Sequence, residues 1–305
     1  MTVIPRRRTK IDWKQNRSLH IMLVIPVVLT LLYKYVPMLG IIIAFKNYKP
    51  GMNILDAKWV GMQNFRVLFM MPGFLDALRN TVTIAVVKII LGIIIPVTFS
   101  LMLNDLNNVA VKRSIQTVIY MPHFISWVLM AGIIQRLLSP TGLFNQLISA
   151  LGGEPQVFLA QKNLFQPLIY ITNTWKEFGY GTIVYLAAIC SIDHSLYEAA
   201  MVDGAGAWRK LWHITLPGIV PTIILMTVLS LGNILNAGFD QIFNLYSPIV
   251  YKTGDIIDTF VYRMAFNQAQ FSISTAAGLF KSAISCVLIV SSYHIAYRTS
   301  GYYVF

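Results

Sequence analysis

The stretch Glu198-Ala199-Ala200-Met201-Val202-Asp203-Gly204-Ala205-Gly206-Ala207-Trp208-Arg209-Lys210-Leu211-Trp212-His213-Ile214-Thr215-Leu216-Pro217 lies between two long apolar segments. It opens with small residues suited to a short helix and turns at Asp203-Gly204-Ala205. A second short helix then re-enters an apolar run at Ile214, Leu216 and Pro217. Gly204 permits the left-handed or otherwise tight backbone that turns the chain back. Ala199 and Ala200 lack the bulk that would hold a partner surface away. Ile214 and Leu216 are expected to anchor the second helix, and Pro217 suits the first turn of the helix that follows. Glu198 caps, pairs locally or contacts a partner; the residues alone do not separate these. Two short helices meeting at a glycine between apolar segments form a rigid knob for another protein to grip. An ordinary alanine-rich linker is the plainer alternative.

The rest of the chain decides what that knob is attached to. Of 305 residues, 56% are hydrophobic and 12% charged, about half the charge content usual in soluble domains. Six apolar stretches stand near the roughly 20 residues that cross about 30 Å of hydrocarbon. They cover residues 19–45, 80–103, 114–138, 165–189, 214–236 and 272–297. The fold class expected is an all-α integral membrane protein. The first stretch is overlong and carries Pro26 and Pro37, so a kink or tilt is expected there. It is also too long for the apolar region of a signal peptide and lacks a small-residue cleavage site, so it reads as a retained span.

The formal charge of +12 invites a nucleic-acid reading, but Arg6, Arg7, Arg8, Lys10, Lys14 and Arg17 crowd the start, just ahead of the first span. That is where the positive-inside bias expects a cytoplasmic end. With Lys112, Arg113, Arg209, Lys210 and Arg298 they make eleven basic residues on one side. The other, longer segments hold eight: Lys46, Lys49, Lys58, Arg66, Arg79, Lys162, Lys252 and Arg263. Both termini and the Glu198–Pro217 loop then face the cytoplasm. The expected organisation is a basic start over 1–18, a first span with an outer interfacial segment over 19–79, and a core of five spans over 80–297. That core contains the loop 190–217, and a cytoplasmic end over 298–305 follows. Cys190 and Cys286 fall at different depths in this topology, which argues against a disulfide; they read as small apolar fillers.

Between the first two spans, in a segment that also holds Trp59 and Asn64, Phe65, Leu68, Phe69 and, after Pro72, Phe74 and Leu78 fall on faces at helical spacing, with Arg66, Asp76 and Arg79 at the edges. One or two amphipathic helices at the outer interface are expected.

The spacing of the opening stretch, Glu-Ala-Ala, three residues, Gly, nine residues, Ile, one residue, Leu-Pro, resembles the cytoplasmic coupling loop of permease subunits of type I ATP-binding-cassette importers. Pro122-His123-Phe124-Ile125-Ser126-Trp127, Gly142-Leu143-Phe144-Asn145 and Ala277-Gly278-Leu279-Phe280-Lys281-Ser282 add echoes of the oligosaccharide and polysaccharide permeases of that superfamily. The resemblance runs from about residue 17 onward. It implies that Glu198, Ala199, Ala200, Asp203, Gly204, Ala205, Ile214, Leu216 and Pro217 form the surface that couples to an ATPase. It also implies a second homologous permease subunit, two cytoplasmic ATPase subunits and an extracytoplasmic solute-binding protein, anchored by lipid. The setting implied is the bacterial plasma (inner) membrane.

The chain carries no engine of its own. No phosphate-binding G-x-x-x-x-G-K-[ST] run exists, since Lys281-Ser282 lacks the preceding glycine. His20, His123, His194, His213 and His294 show no metal-ligand spacing, and no nucleophile–base constellation stands out. No cofactor or metal is expected on this chain; ATP and Mg²⁺ belong to the partner ATPase.

Ionisable residues inside spans are costly and tend to face a cavity or a partner. Lys176 and Glu177, within Asn173-Thr174-Trp175-Lys176-Glu177, are expected to point about 100° apart rather than to pair. They are either structural ties or lining of a transport path near the midplane, and Lys88 and Lys281 share that ambiguity. Asn233 and Asn236, with Asp240 and Gln241 beyond, offer groups suited to hydroxyl-rich ligands. Trp127 and Trp175 are candidates for stacking on sugar rings, beside packing roles. The candidate path is therefore Lys88, His123, Trp127, Asn173, Trp175, Lys176, Glu177, Asn233 and Asn236.

The reading is an importer permease subunit that moves a carbohydrate, an oligosaccharide above all. The alternatives are the same machine with another cargo, an ion-coupled carrier, which would show two similar halves and a buried acidic relay, and a membrane enzyme.

Overall fold

The computed structural model describes residues 17–232 and 235–300. The basic cluster before Arg17, the candidate Asn233 and the last five residues lie outside them. The architecture is helical, apart from a two-stranded hairpin of β1 (Lys46–Asn47) and β2 (Lys58–Trp59).

Helix α1 (Arg17–Thr30) runs on through a widened turn at Leu31–Tyr35 and a tighter 3₁₀ segment at Val36–Phe45. The change of winding falls between Pro26 and Pro37, where a kink was expected. Its side chains are almost all exposed except at the Val36–Phe45 end, which packs against the last helix and the short helix over Gln63–Met70. The hairpin then leads to α2 (Gln63–Met70). Asn64 is buried there, donating from Nδ2 to Ala44 O at 2.8 Å and Lys46 O at 3.0 Å. A second interfacial helix does not form, because Phe74–Leu78 already belong to α3 (Phe74–Asn104). With no proline or cap to stop it after Phe74, the apolar helix begins six residues before the expected start at residue 80.

The expected span 114–138 is not one helix. Helix α4 (Val109–Tyr120) and its 3₁₀ extension Met121–Phe124 are bent by 103° from α5 (Trp127–Leu137). Pro122 has no N–H for the ladder, Ile125 and Ser126 are extended, and Ser126 Oγ accepts from Leu129 N at 3.3 Å to start the new helix. Helix α6 (Leu143–Ala150) follows, then α7 (Lys162–Cys190), α8 (His194–Val202) and the continuous helix α9 (Ala207–Gly232). The chain closes through α10 (Phe239–Leu245), α11 (Ile257–Tyr262) with its widened extension Arg263–Asn267, and α12 (Phe271–Ser300).

Among the described residues, four helices are long and apolar enough to cross a membrane: His20–Phe45, Phe74–Asn104, Ala207–Gly232 and Phe271–Ser291. The bent pair would make a fifth crossing. Helix α7 matches them in length, at 29 residues, but Gln166, Asn173, Lys176 and Glu177 lower its apolarity.

Helices α3 and α7 form the most extensive pair. Beside them, Gly179 lets α7 touch α4: a Cβ there would lie 2.0 Å from Ile119 O and 2.6 Å from its carbonyl carbon. Close backbone approach at small residues is the usual way membrane helices gain packing energy. Ile84, Met130, Ile134, Phe165, Ile169, Ile242 and Leu245 fill the centre, where α3, α5, α7 and α10 meet. The segment from α10 to α11 is fastened by buried polar groups. Asn80 Nδ2 donates to Lys252 O and Asp255 O, both at 3.1 Å, and Gln241 Nε2 donates to Ile169 O and Thr172 Oγ1 at 2.8 Å. Gln241, a sequence candidate for sugar hydroxyls, is therefore fully buried and structural. Asp255, 2% exposed, pairs with the Arg263 guanidinium and accepts from Thr259 Oγ1 at 2.7 Å.

Candidate functional site

Two regions gather the residues that the sequence singles out as candidates. The first is the loop between α7 and α9. Asp193 caps α8, accepting from Ser195 N at 2.9 Å, and the backbone and side-chain hydrogen bonds of Ser195 hold its carboxyl below the usual carboxylate range. At the other end Gly204 has φ +71°. Ala205 N donates to Ala200 O at 2.8 Å and Gly204 N to Met201 O at 3.1 Å, the paired bonds of a glycine-terminated helix. The turn expected at Asp203-Gly204-Ala205 is thus in place.

The re-entry differs from expectation. No break separates the second short helix from the next span. Helix α9 is continuous, with a widened turn at Leu211–Thr215 in which Leu216 N bonds to Leu211 O. Pro217 has no N–H to close a bond to His213, and the wide turn just before it accommodates that gap. Ile214 and Leu216 are only half-buried; the buried anchors are Thr215 and Ile219. Tyr197 Oη and Thr215 Oγ1 lie 2.9 Å apart, and Ile192 packs on α9 at Gly218. The loop is therefore stiff and tied to the bundle. It nevertheless presents Met201, Val202, Trp208 and Trp212 at 57%, 88%, 73% and 62% exposure, beside exposed Glu198 and Ala199.

The second region is a cleft of about 410 Å³ lined by Ala85, Lys88, Ile89, Gly92, Asn173, Glu177, Leu229, Ser230 and Asn236. That is within the usual range for small-ligand sites. Lys88 stands near the middle of α3 and Glu177 near the middle of α7, so the cleft opens at mid-depth in the bundle. Lys88 Nζ donates to two neutral acceptors, Ala237 O at 2.7 Å and Gln241 Oε1 at 2.6 Å. Asn236 Oδ1 accepts from Lys281 Nζ at 2.8 Å, and that ammonium also meets Asp258 Oδ1 at 2.6 Å.

Four of the residues read from the sequence, Lys88, Asn173, Glu177 and Asn236, thus come together in the lining of one cleft. The others are placed elsewhere. Lys176 is 5% exposed and donates from Nζ to His123 O at 2.7 Å, with its ammonium 5.6 Å from the Trp127 ring centre. It ties α7 to the corner between α4 and α5. Lys176 and Glu177 do meet, contrary to expectation, with Nζ 3.4 Å from Oε1; their long stems bridge the angle between neighbouring helical positions. Glu177 Oε2 is 2.8 Å from His123 Nδ1, and His123 stacks on Tyr180 at 4.5 Å. His123 and Trp127 therefore serve the corner behind the cleft. Trp175 turns to the opposite face of α7, in an apolar groove with Ile95, Phe99 and Phe178. Ser230 was missed: it lies in an unbroken apolar run of α9 whose facing is set by packing alone. The Asp255–Arg263 pair was missed because Arg263 reads as a loop residue.

Over residues 88–301 the chain matches the family described as binding-protein-dependent transport system inner membrane component. Protein LplB of Bacillus subtilis (strain 168) is 39% identical, over 97% of this chain and 97% of its own. The polygalacturonan/rhamnogalacturonan transport system permease protein YteP of the same organism is 40% identical, over 95% and 91%. A chain from the crystal structure of a bacterial ABC transporter involved in the import of the acidic polysaccharide alginate superposes with a TM-score of 0.88 at 39% identity, covering 95% of this chain and 98% of that one. A structure of bacterial alginate ABC transporter in complex with alginate pentasaccharide-bound periplasmic protein gives 0.87 at 38%. The long apolar helices agree with that kinship: the chain belongs to the family of binding-protein-dependent transport system inner membrane components, multi-pass permease subunits of ABC importers.

Proposed function

We propose that the chain is one of two homologous permease subunits of a bacterial inner-membrane importer, and that its cleft passes an oligosaccharide handed over by an external binding protein. The observation that carries this is the convergence of Lys88, Asn173, Glu177, Ser230 and Asn236 on one mid-depth cleft. These are hydrogen-bonding groups for a hydroxyl-rich ligand, at the depth where transporters bind substrate. The named cargoes of the relatives, polygalacturonan/rhamnogalacturonan and alginate, support a uronate-bearing saccharide. Lys88, whose Nζ is held by neutral acceptors and not by a carboxylate, is the lining amine that would meet its carboxylates.

The broken pair α4–α5 and the polar α7 complete six crossings with both termini in the cytoplasm, which the distribution of basic residues supports. The proposed organisation is a basic start over 1–18, a first span with an outer segment over 19–79, a core over 80–297 with the coupling loop 190–217, and an end over 298–305, with the first core helix starting earlier, at Phe74. The exposed apolar residues of that loop dock into one of two ATPase subunits, which bind ATP and Mg²⁺. Closure of the ATPase pair drives α8 and the start of α9 inward, and the stiff tie from Tyr197 to Thr215 passes the motion to α9, a wall of the cleft. The chain itself is not an enzyme.

Thiol labelling tests the cleft. With Cys190 and Cys286, both exposed, first replaced by serine, Asn173→Cys and Ser230→Cys are introduced into the assembled importer with its loaded binding protein. Oligosaccharide should slow labelling at both and leave Trp175→Cys, in the apolar groove, unchanged. Equal rates at all three positions with and without sugar would remove the cleft from the path.

A further inference from the structure

Just above the cleft, α10 and α11 carry a row of rings that none of the roles above uses. Phe239 and Phe243 share one face of α10, their ring centres 5.1 Å apart. Tyr262 of α11 sits against both, at 5.8 and 4.7 Å, and Phe266 continues the row at 5.0 Å from Tyr262. The opposite faces of the same segments hold the buried residues, Gln241, Ile242 and Leu245 on α10 and Ile257, Phe260 and Met264 around α11. The rings are therefore turned away from the core. Phe239, Phe243 and Tyr262 are half-buried and Phe266 is 70% exposed.

The row is continuous with the cleft. Asp258, Tyr262 and Phe266 recur every fourth position and so lie on one helical face. Asp258 meets Lys281 Nζ, and that ammonium meets Asn236 in the cleft wall. Exposed Asp240 adjoins Phe239. Carboxylates beside rings argue against a lipid-facing belt, because ionised side chains turn away from hydrocarbon. The membrane-exposed face of α1 is instead dominated by aliphatic side chains. Ring faces near the Asn236 amide, with the Asp258 carboxylate neutralised by Lys281, match the chemistry of a saccharide, whose C–H faces stack on aromatics while its hydroxyls take hydrogen bonds.

We infer that Phe239, Phe243, Tyr262 and Phe266 form a stacking track along which the outer part of a long oligosaccharide lies while its leading sugars occupy the cleft. The inference rests on the carbohydrate reading above and adds a second binding surface, which makes chain length a determinant of apparent affinity.

The test is uptake by the complete reconstituted importer with its binding protein, using di- and hexa-galacturonides. Tyr262→Leu and Phe266→Leu should raise the hexasaccharide concentration for half-maximal uptake by roughly two- to tenfold, the range of one lost aromatic contact. The disaccharide, short enough for the cleft alone, should be unaffected. Tyr262→Phe should behave as the wild type, since it keeps the ring. Phe266 is exposed enough that its replacement leaves the core alone, so it decides the matter if Tyr262→Leu assembles poorly. Equal behaviour of the Leu and Phe variants at Tyr262, together with an unchanged Phe266→Leu, would overturn the track. Wild-type importer that takes up neither saccharide would instead overturn the carbohydrate reading, and the track with it.

Discussion

Replacing Lys176 by methionine separates support of the cleft from direct contact with cargo. Methionine keeps most of the apolar stem but removes the ammonium that donates to His123 O at 2.7 Å and lies 3.4 Å from Glu177 Oε1. A hydrogen bond from a charged donor is worth about 1.5–3 kcal/mol. The second contact adds little, because Glu177 is 38% exposed and pairs at such exposure contribute about 0–1 kcal/mol. Glu177 also keeps His123 as a partner, so the roughly 3–5 kcal/mol for stranding a fully buried charge does not apply. Regained apolar burial offsets part of the loss, which leaves about 2 kcal/mol, or a lowering of the unfolding midpoint of about 3 °C for a chain of 305 residues. Thermal unfolding of the detergent-extracted complex, read beside uptake at a temperature where the variant is folded, is the assay. The expected outcome is a lower midpoint with uptake reduced in proportion to assembled complex. Wild-type stability with lost uptake would place the ammonium in the path, and wild-type stability with normal uptake would refute its role at the corner altogether.

Gly179→Ala should destabilise the fold by about 1–3 kcal/mol or more, since the new methyl meets the backbone of Ile119 rather than a movable side chain; complex yield and midpoint check it. Gly204→Val puts a β-branched residue at φ +71°, a strain of about 1–3 kcal/mol confined to an exposed turn. Membrane insertion should be normal while ATP hydrolysis and uptake uncouple, and wild-type uptake would count against the docking role of the loop. Asp255→Asn should cost about 3–5 kcal/mol by leaving the Arg263 guanidinium without its buried partner, seen as a lower midpoint that Asp255→Glu partly restores.

How much of this could be read beforehand follows from the range of each interaction. The turn at Gly204 is local, a helix stop written in adjacent residues, and it was legible to the residue. The lengths of the long apolar helices were legible because hydrocarbon thickness sets them, with the first residues of α3 and of α9 as the errors, since nothing local distinguishes an interfacial turn from a helix start. The break at Pro122 was hidden inside a run whose mean apolarity looks continuous. Lys88, Asn173, Glu177 and Asn236 could be flagged as polar groups in apolar surroundings. Their meeting in one cleft, and the departure of Trp127, Trp175 and Lys176 from it, depends on how α3, α7 and α9 are rotated. That rotation is fixed by contacts such as Gly179 on Ile119, which link residues far apart in the chain. The Lys176–Glu177 contact is not legible from helical direction, which sets the two stems about 100° apart, because the reach of two long side chains closes the gap to 3.4 Å.

The central claim is that this chain moves a saccharide only as part of an ATP-driven assembly. Uptake of a labelled oligogalacturonide into proteoliposomes, with this chain, its partner permease, the ATPase pair and the binding protein present or omitted one at a time, tests it most directly. The account predicts uptake only when all are present and ATP is inside with the ATPase, and none from this chain alone. Uptake by this chain alone, driven by an ion gradient without ATP, would contradict it.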